Sequence, residues 1–98
     1  MILQQGDVIL EKVNEIKGKK LDHLTLAKGE VTGHHHTIIE GEAELYEEND
    51  VLYLRVLSDT ATLTHQEHQT ITIPKGDFIV RKIREYDHFA EEARNVRD

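Results

Sequence analysis

Short runs in which apolar and polar residues alternate are the feature that most constrains the fold of this chain. In the run 60–65, Ala61, Leu63 and His65 alternate with threonines, and the run 70–73 alternates in the same way. A period of two places successive side chains on opposite faces of a β-strand, and β-branched residues favour the extended backbone. Both runs therefore predict half-buried strands, and His65 continues the apolar side of the first strand.

Similar runs recur along the chain and are separated by turn residues. The sequence predicts strands at 8–13, within 21–32 as a bent or bulged pair, and at 32–39, 43–46, 51–57, 61–65, 70–73 and 78–83. It predicts turns at 4–7, 47–50, 58–59 and 74–77, and a hairpin tip near Glu67 and His68. Seven or eight short strands without alternating helices predict an all-β fold, a small antiparallel β-barrel or sandwich.

The length of the chain sets its domain organisation. A chain of 98 residues is long enough for one hydrophobic core and too short for two, so we expect a single β-barrel domain at 1–86. Residues 87–98 differ in character, because Asp87 can cap a helix and acidic residues follow in its first turns. They predict a short C-terminal helix, with an irregular tail as the alternative.

Composition excludes several classes of site. The chain has no cysteine and a formal charge of −7. Disulfides, thiolate zinc sites and a cysteine nucleophile are therefore excluded, and imidazole, carboxylate or water must hold any metal. The negative charge argues against binding to nucleic acid, which requires a basic surface.

The sequence shows no signal peptide and no apolar run of membrane-spanning length, so we expect a soluble cytoplasmic protein without a membrane partner.

Histidines carry the strongest chemical signal. On an extended strand, His34, His36 and Glu40 share one face, and His65 arrives from a different hairpin. Imidazoles from two hairpins together with a carboxylate predict a site for a divalent metal ion, namely zinc, iron, nickel or manganese. We expect His34, His36 and His65 as primary ligands. Either His68 or Glu40 completes the set, and Glu67 is a hydrogen-bond partner of a ligand or a general base.

The same residues resemble the first motif of the cupin superfamily, in which His-x-His is followed by a glutamate. His34, His36 and Glu40 match that spacing, and the segment Pro74-Lys75-Gly76 matches the Pro-x-Gly of the second motif. In the second motif Ile79 stands at the position of the metal-binding histidine. The resemblance therefore implies a cupin-like or jelly-roll-like barrel in which His65 or His68 supplies that ligand.

A second resemblance covers nearly the whole chain. The sequence is similar to a group of small uncharacterised bacterial and phage proteins that share four segments. These are a Gln-x-Gly-Asp-Val start, a Gly-Glu-Val-Thr-Gly-His-x-His core, a His-x-Glu-His segment and an ending that runs from Pro-x-Gly to Tyr-Asp. In this chain they lie at 4–8, 29–36, 65–68 and 74–87. This resemblance supports a site at the histidines and implies no particular activity.

Two functional hypotheses follow. The first is a metal-binding β-domain that acts on a small-molecule ligand, with metal-activated water or dioxygen chemistry if it is an enzyme, which the sequence leaves open. The second is a non-enzymatic protein-interaction module, phage-associated, in which the histidines form a polar cluster without metal and residues 87–98 bind the partner. An exposed edge strand can also pair two subunits, so a homodimer is a further expectation.

Overall fold

The structure, a computed structural model, describes residues 1–28 and 33–83. These residues form eight β-strands and no helix, which confirms the predicted all-β class. The strands are β1 (Ile2–Gln5), β2 (Val8–Lys12), β3 (Lys19–Lys20), β4 (Thr25–Lys28), β5 (His35–Glu40), β6 (Ala43–Glu48), β7 (Val51–Thr64) and β8 (Ile71–Lys82). Within these residues, no helix is long and apolar enough to span a membrane. The predicted C-terminal helix at 87–98 lies outside the described residues.

All eight strands belong to one antiparallel sheet, in which β7 and β8 form the centre. The order is β1-β2-β8-β7-β5-β4, and β6 lies between β7 and the short β3. The first half of β7 pairs with β6 and its second half pairs with β5, while β8 follows β7 along most of its length. The sheet therefore curls around one core without closing, which is consistent with a small barrel or sandwich.

The core lies on the inner face of this sheet, where alternation places the apolar side chains. Phe78, Leu54 and Leu45 lie directly opposite one another on β8, β7 and β6, and each is fully buried. The other buried apolar residues are Val8, Leu10, Leu26, Ile38, Val56, Ala61, Leu63 and Ile73. One contiguous cluster therefore holds both halves of the sheet together.

Truncating the centre of this core gives the first testable prediction. We expect Leu54→Ala to lower the free energy of unfolding by about 2–5 kcal/mol, because it removes buried methyl groups and leaves a cavity between two other buried side chains. Leu57 is 42% exposed on the same strand, so Leu57→Ala is the matched control and should cost less than about 1 kcal/mol. Urea unfolding of both variants measures the difference, and equal losses would contradict the assigned core.

Two predicted turns are wrong, because the chain continues through them as strand. Residues 58–59 lie within β7 and residues 74–77 lie within β8. Val56 pairs with Gly76 and Thr60 pairs with Pro74, and the register shifts between these two pairs. Ser58 stabilises this irregular stretch, since its Oγ accepts a hydrogen bond from the Glu42 N–H at 2.8 Å and donates to the Thr60 carbonyl at 2.7 Å. The polar, proline and glycine residues therefore mark a distortion of two long strands.

The turn between β6 and β7 is confirmed and is shorter than predicted. Asn49 and Asp50 have positive φ angles of 50° and 66°. Two consecutive residues of this kind form a type I′ hairpin turn, and asparagine and aspartate tolerate the left-handed conformation. Glu47 and Glu48, which lie within the predicted turn at 47–50, belong to β6, which ends at Glu48.

The first strand was missed. Residues 4–7 were predicted as a turn, yet Ile2–Gln5 is a strand that pairs with β2, and Gly6 and Asp7 alone connect the two. Gly6 has a φ of 57°, which favours glycine. The consequence for the site is that Gln5 belongs to the sheet, with its side chain on the inner face.

Candidate functional site

Two strands bring two histidines to the inner face of the sheet. His36 lies on β5, two residues before the buried Ile38, and only 1% of its surface is exposed. His65 directly follows β7, where it continues the inner side of Ala61 and Leu63, and is 8% exposed. The alternation predicted from the sequence therefore places both imidazoles at the end of the hydrophobic core.

Four imidazole rings pack against one another at this point, and we call His34, His36, His65 and His68 the histidine cluster. The ring of His65 contacts the rings of both His36 and His68, with centroid distances of 4.4 and 4.5 Å. The rings of His36 and His68 are nearly parallel, 5.9 Å apart, and His34 contacts His65 edge-on at 5.6 Å. Residues distant in sequence thus form one compact polar group.

The β1–β2 hairpin supplies partners for both nitrogens of the buried His36 ring. Oε1 of Gln5 lies 2.8 Å from Nδ1, and Oδ1 of Asp7 lies 3.2 Å from Nε2. Gln5 is itself 2% exposed, and its Nε2 donates hydrogen bonds of 2.9 Å to the carbonyls of Leu63 and Gln69. These bonds join β1 to the end of β7 and to the loop before β8, and they hold the hairpin against the histidine cluster.

Gly6 allows this hairpin to approach the cluster closely. A Cβ atom at this position would lie 2.5 Å from Nε2 of His68, and the positive φ of Gly6 disfavours any other residue. Asp7, the next residue, also forms a longer ion pair of 3.7 Å with Lys82 on β8. The segment Gln5-Gly6-Asp7 is therefore one wall of the site.

The loop between β7 and β8 forms the opposite wall. Nδ1 of His65 accepts a hydrogen bond of 3.0 Å from the Glu67 N–H, so the proton of a neutral His65 ring lies on Nε2. The Glu67 carboxylate lies 3.4 Å from Nδ1 of His34, and its side chain is 64% exposed. Gln66 accepts a hydrogen bond from the His35 N–H at 2.9 Å, which ties the loop to β5.

Burial and mutual repulsion make the two inner histidines poor bases. Burial is the main cause that lowers the pKa of His36, and the neighbouring His65 adds to it, while the Asp7 carboxylate, which accepts a hydrogen bond from the protonated ring, opposes the change. Burial also lowers the pKa of His65, together with His68 and His34. Neutral imidazole is the form that coordinates metal ions, and the lowered pKa values of His36 and His65 favour this form of the two inner rings.

Five of the six predicted site residues meet here, namely His34, His36, His65, His68 and Glu67. Glu40 does not join them. Ile38 pairs with Leu63 but Glu40 pairs with Thr62, so Ile39 is an extra residue on β5. This bulge turns Glu40 to the opposite face of the sheet, where it is exposed.

Gln5 and Asp7 were missed as site residues. Their signal in the sequence is the Gln-x-Gly-Asp-Val segment, whose first four residues are typical of a turn.

The side chains of the site do not yet converge on a common point where a metal ion could bind. Within residues 1–28 and 33–83, no group of three or more histidine, aspartate or glutamate side chains is arranged to hold a metal ion.

Comparison with known proteins gives a family and no activity. No curated protein and no solved structure matches the chain. The cupin resemblance is not tested by these comparisons and stays a prediction. A family model described as a domain of unknown function, DUF8820, matches residues 4–83, which include both walls of the site and the whole histidine cluster. The chain therefore belongs to the DUF8820 family.

Proposed function

We propose that this domain binds a divalent metal ion in the histidine cluster, with Nε2 of His36 and Oδ1 of Asp7 as the first two ligands. The observation that carries the proposal is the 3.2 Å separation of these two atoms. Nitrogen and oxygen ligands bound at about 2.0–2.2 Å to one tetrahedral ion lie about 3.3–3.6 Å apart, close to this separation. His36 is buried and Asp7 lies in a tight hairpin, so both positions are well defined.

A third ligand requires a change of side-chain rotamer, because no three candidate ligands converge within the described residues. His68 is the best placed, since it is exposed and its Nε2 lies over the Gly6 backbone next to Asp7. The partly exposed His34 and Glu67 are further candidates. Exposed side chains exchange rotamers rapidly, so an ion can draw them in.

His65 has a different role in this proposal from the one expected from sequence. Its Nδ1 is engaged by the Glu67 N–H, so coordination through Nε2 would move the ring proton to Nδ1 and break that bond. We therefore place His65 as a packing partner of the two ligand histidines. The ligand set becomes His36, Asp7 and His68, and Asp7 supplies the carboxylate that the sequence analysis assigned to Glu40.

The chemistry of the donors admits several ions and leaves room for a ligand. Imidazole and carboxylate together suit zinc, iron, nickel and manganese. Three protein ligands leave coordination positions for water or a small molecule, and a bound ion lowers the pKa of such a water. Glu67 lies at the exposed side of the cluster, where its carboxylate can accept a proton.

Metal titration of untagged protein tests the proposal. We expect one zinc ion per chain by elemental analysis after dialysis, and at least a 10-fold weaker affinity for Asp7→Asn, which keeps the size of the side chain and removes its charge. His23 is exposed and lies outside the cluster, so His23→Ala is the control and should bind zinc as the wild type does. Absence of stoichiometric metal in the wild type, or equal affinity in Asp7→Asn, would overturn the proposal.

One observation favours the second hypothesis, the non-enzymatic interaction module. The histidine rings contact one another directly, as expected of a polar cluster that is complete without metal. In that case the cluster orders the β1–β2 hairpin and the loop 65–70, and it presents them as a surface for a protein partner. The partner-binding tail at 87–98 lies outside the described residues. A wild-type protein that binds none of the four metals would favour this hypothesis.

A further inference from the structure

We infer that Gln5 is a positioning residue, which fixes the proton of the neutral His36 ring on Nδ1 and leaves the Nε2 lone pair free to bind a cation beside Asp7. The assignment of the proton stands on the hydrogen bonds of Gln5. Its use in metal binding rests on the proposed function.

The orientation of the Gln5 amide follows from its partners. Its nitrogen lies 2.9 Å from the carbonyl oxygens of Leu63 and of Gln69. Carbonyl oxygens only accept hydrogen bonds, so the NH2 group must face them and both of its hydrogens are used. A flipped amide would place its oxygen against two acceptors. The oxygen Oε1 therefore faces His36.

The orientation of the amide determines the tautomer of His36. Oε1 of Gln5 lies 2.8 Å from Nδ1 and can only accept, so Nδ1 must donate. A neutral imidazole carries one proton, and Nε2 is then an acceptor. It faces Oδ1 of Asp7 at 3.2 Å, and that carboxylate oxygen is an acceptor as well.

Two acceptors at hydrogen-bond distance repel each other unless a positive charge lies between them. The charge is either a proton, which makes His36 an imidazolium ion, or a metal cation. Because Gln5 already holds the one ring proton of a neutral His36 on Nδ1, the contact between Nε2 and the Asp7 carboxylate is arranged for a positive charge, and Gln5 is the residue that arranges it.

Gln5 is well suited to hold this arrangement. Its side chain is buried, and its three hydrogen bonds reach three separate parts of the fold, namely β5, the end of β7 and the loop before β8. Rotation of the amide would break all three at once. A hydrogen bond from the second nitrogen of a metal-binding histidine is the usual means by which proteins set its tautomer.

Nuclear magnetic resonance of the metal-free protein tests the assignment. Long-range 1H–15N spectra at pH 8 should show a protonated Nδ1 and an unprotonated Nε2 for His36 in the wild type. Methionine has a similar size to glutamine and no oxygen acceptor, so in Gln5→Met the Asp7 carboxylate is the remaining hydrogen-bond partner of the His36 ring. We therefore expect the ring proton to move to Nε2, where it can be donated to Asp7. Gln4→Met, at an exposed neighbouring position, should match the wild type.

Zinc titration of the same proteins separates the two proposals. We expect Gln5→Met to bind zinc 10- to 100-fold more weakly than the wild type and Gln4→Met to bind it equally well. A wild-type His36 with its proton on Nε2, or an unchanged tautomer in Gln5→Met, overturns the role of Gln5 whatever the metal result. If the wild type has the inferred tautomer and binds no zinc, the metal function fails and the assignment of the proton stands.

Discussion

Zinc is expected to raise the midpoint of thermal unfolding by about 10–20 °C when its free concentration is 100-fold above the dissociation constant. A ligand that binds only the folded state at this concentration stabilises it by about 2.7 kcal/mol. For a domain of about 100 residues, each kcal/mol shifts the midpoint by about 4–8 °C. The two proposed first ligands come from the β1–β2 hairpin and from β5, so an ion between them would oppose separation of these elements.

Calorimetric scans with zinc and with excess chelator measure this shift. Asp7→Asn should unfold at a similar temperature to the wild type in chelator and should lose most of the zinc-dependent increase, because its amide is a poor metal ligand. His23→Ala should retain the increase, since His23 is exposed and accepts a hydrogen bond from the nearby Thr25 N–H. An equal zinc effect in the wild type and in Asp7→Asn would indicate binding at unrelated histidines and would contradict the proposed site.

The inner histidines could be predicted from the sequence because local alternation determines which face a strand residue occupies. His65 follows two residues, Ala61 and Leu63, that the core requires, and His36 stands two positions before Ile38. The same rule fails at Glu40, because one extra residue in β5 reverses the alternation. A bulge depends on the pairing of β5 with β7, which the local sequence does not specify.

The hairpin wall of the site could not be predicted, because its burial depends on distant partners. Two glutamines near a chain terminus are typical of exposed residues. Gln5 is buried only because its amide finds the carbonyls of Leu63 and Gln69, which are 58 and 64 residues away in sequence. For the same reason, the Ser58 and Pro74 segments resemble turns, although long-range pairs on either side of the distortion, Val56 with Gly76 and Thr60 with Pro74, keep both strands continuous. Polar residues whose hydrogen bonds are long-range give no local signal.

Acid is expected to destabilise the metal-free domain as the pH falls through the ordinary histidine pKa near 6.5. The pKa of His36 is lowered in the folded state, first by burial and then by His65, and the pKa of His65 is lowered by burial and by His68 and His34. The unfolded chain has ordinary histidines with a pKa near 6.5, so it binds more protons as the pH falls through that value. Because the unfolded state gains protons and the folded state does not, stability is full above about pH 7.5 and falls below it.

Each such histidine lowers the free energy of unfolding by at most about 1.4 kcal/mol for each pH unit of acidification. This loss continues until the pH reaches the pKa of that histidine in the folded state. Urea unfolding in chelator at several pH values measures the slope. His65→Gln should show a smaller slope over the same range, because one of the two buried titrating rings is removed. Leu57→Ala, which removes an exposed apolar side chain, should keep the wild-type slope. A stability that is constant or that rises on acidification would mean that the inner rings are protonated in the folded state, with a proton rather than a cation between His36 and Asp7.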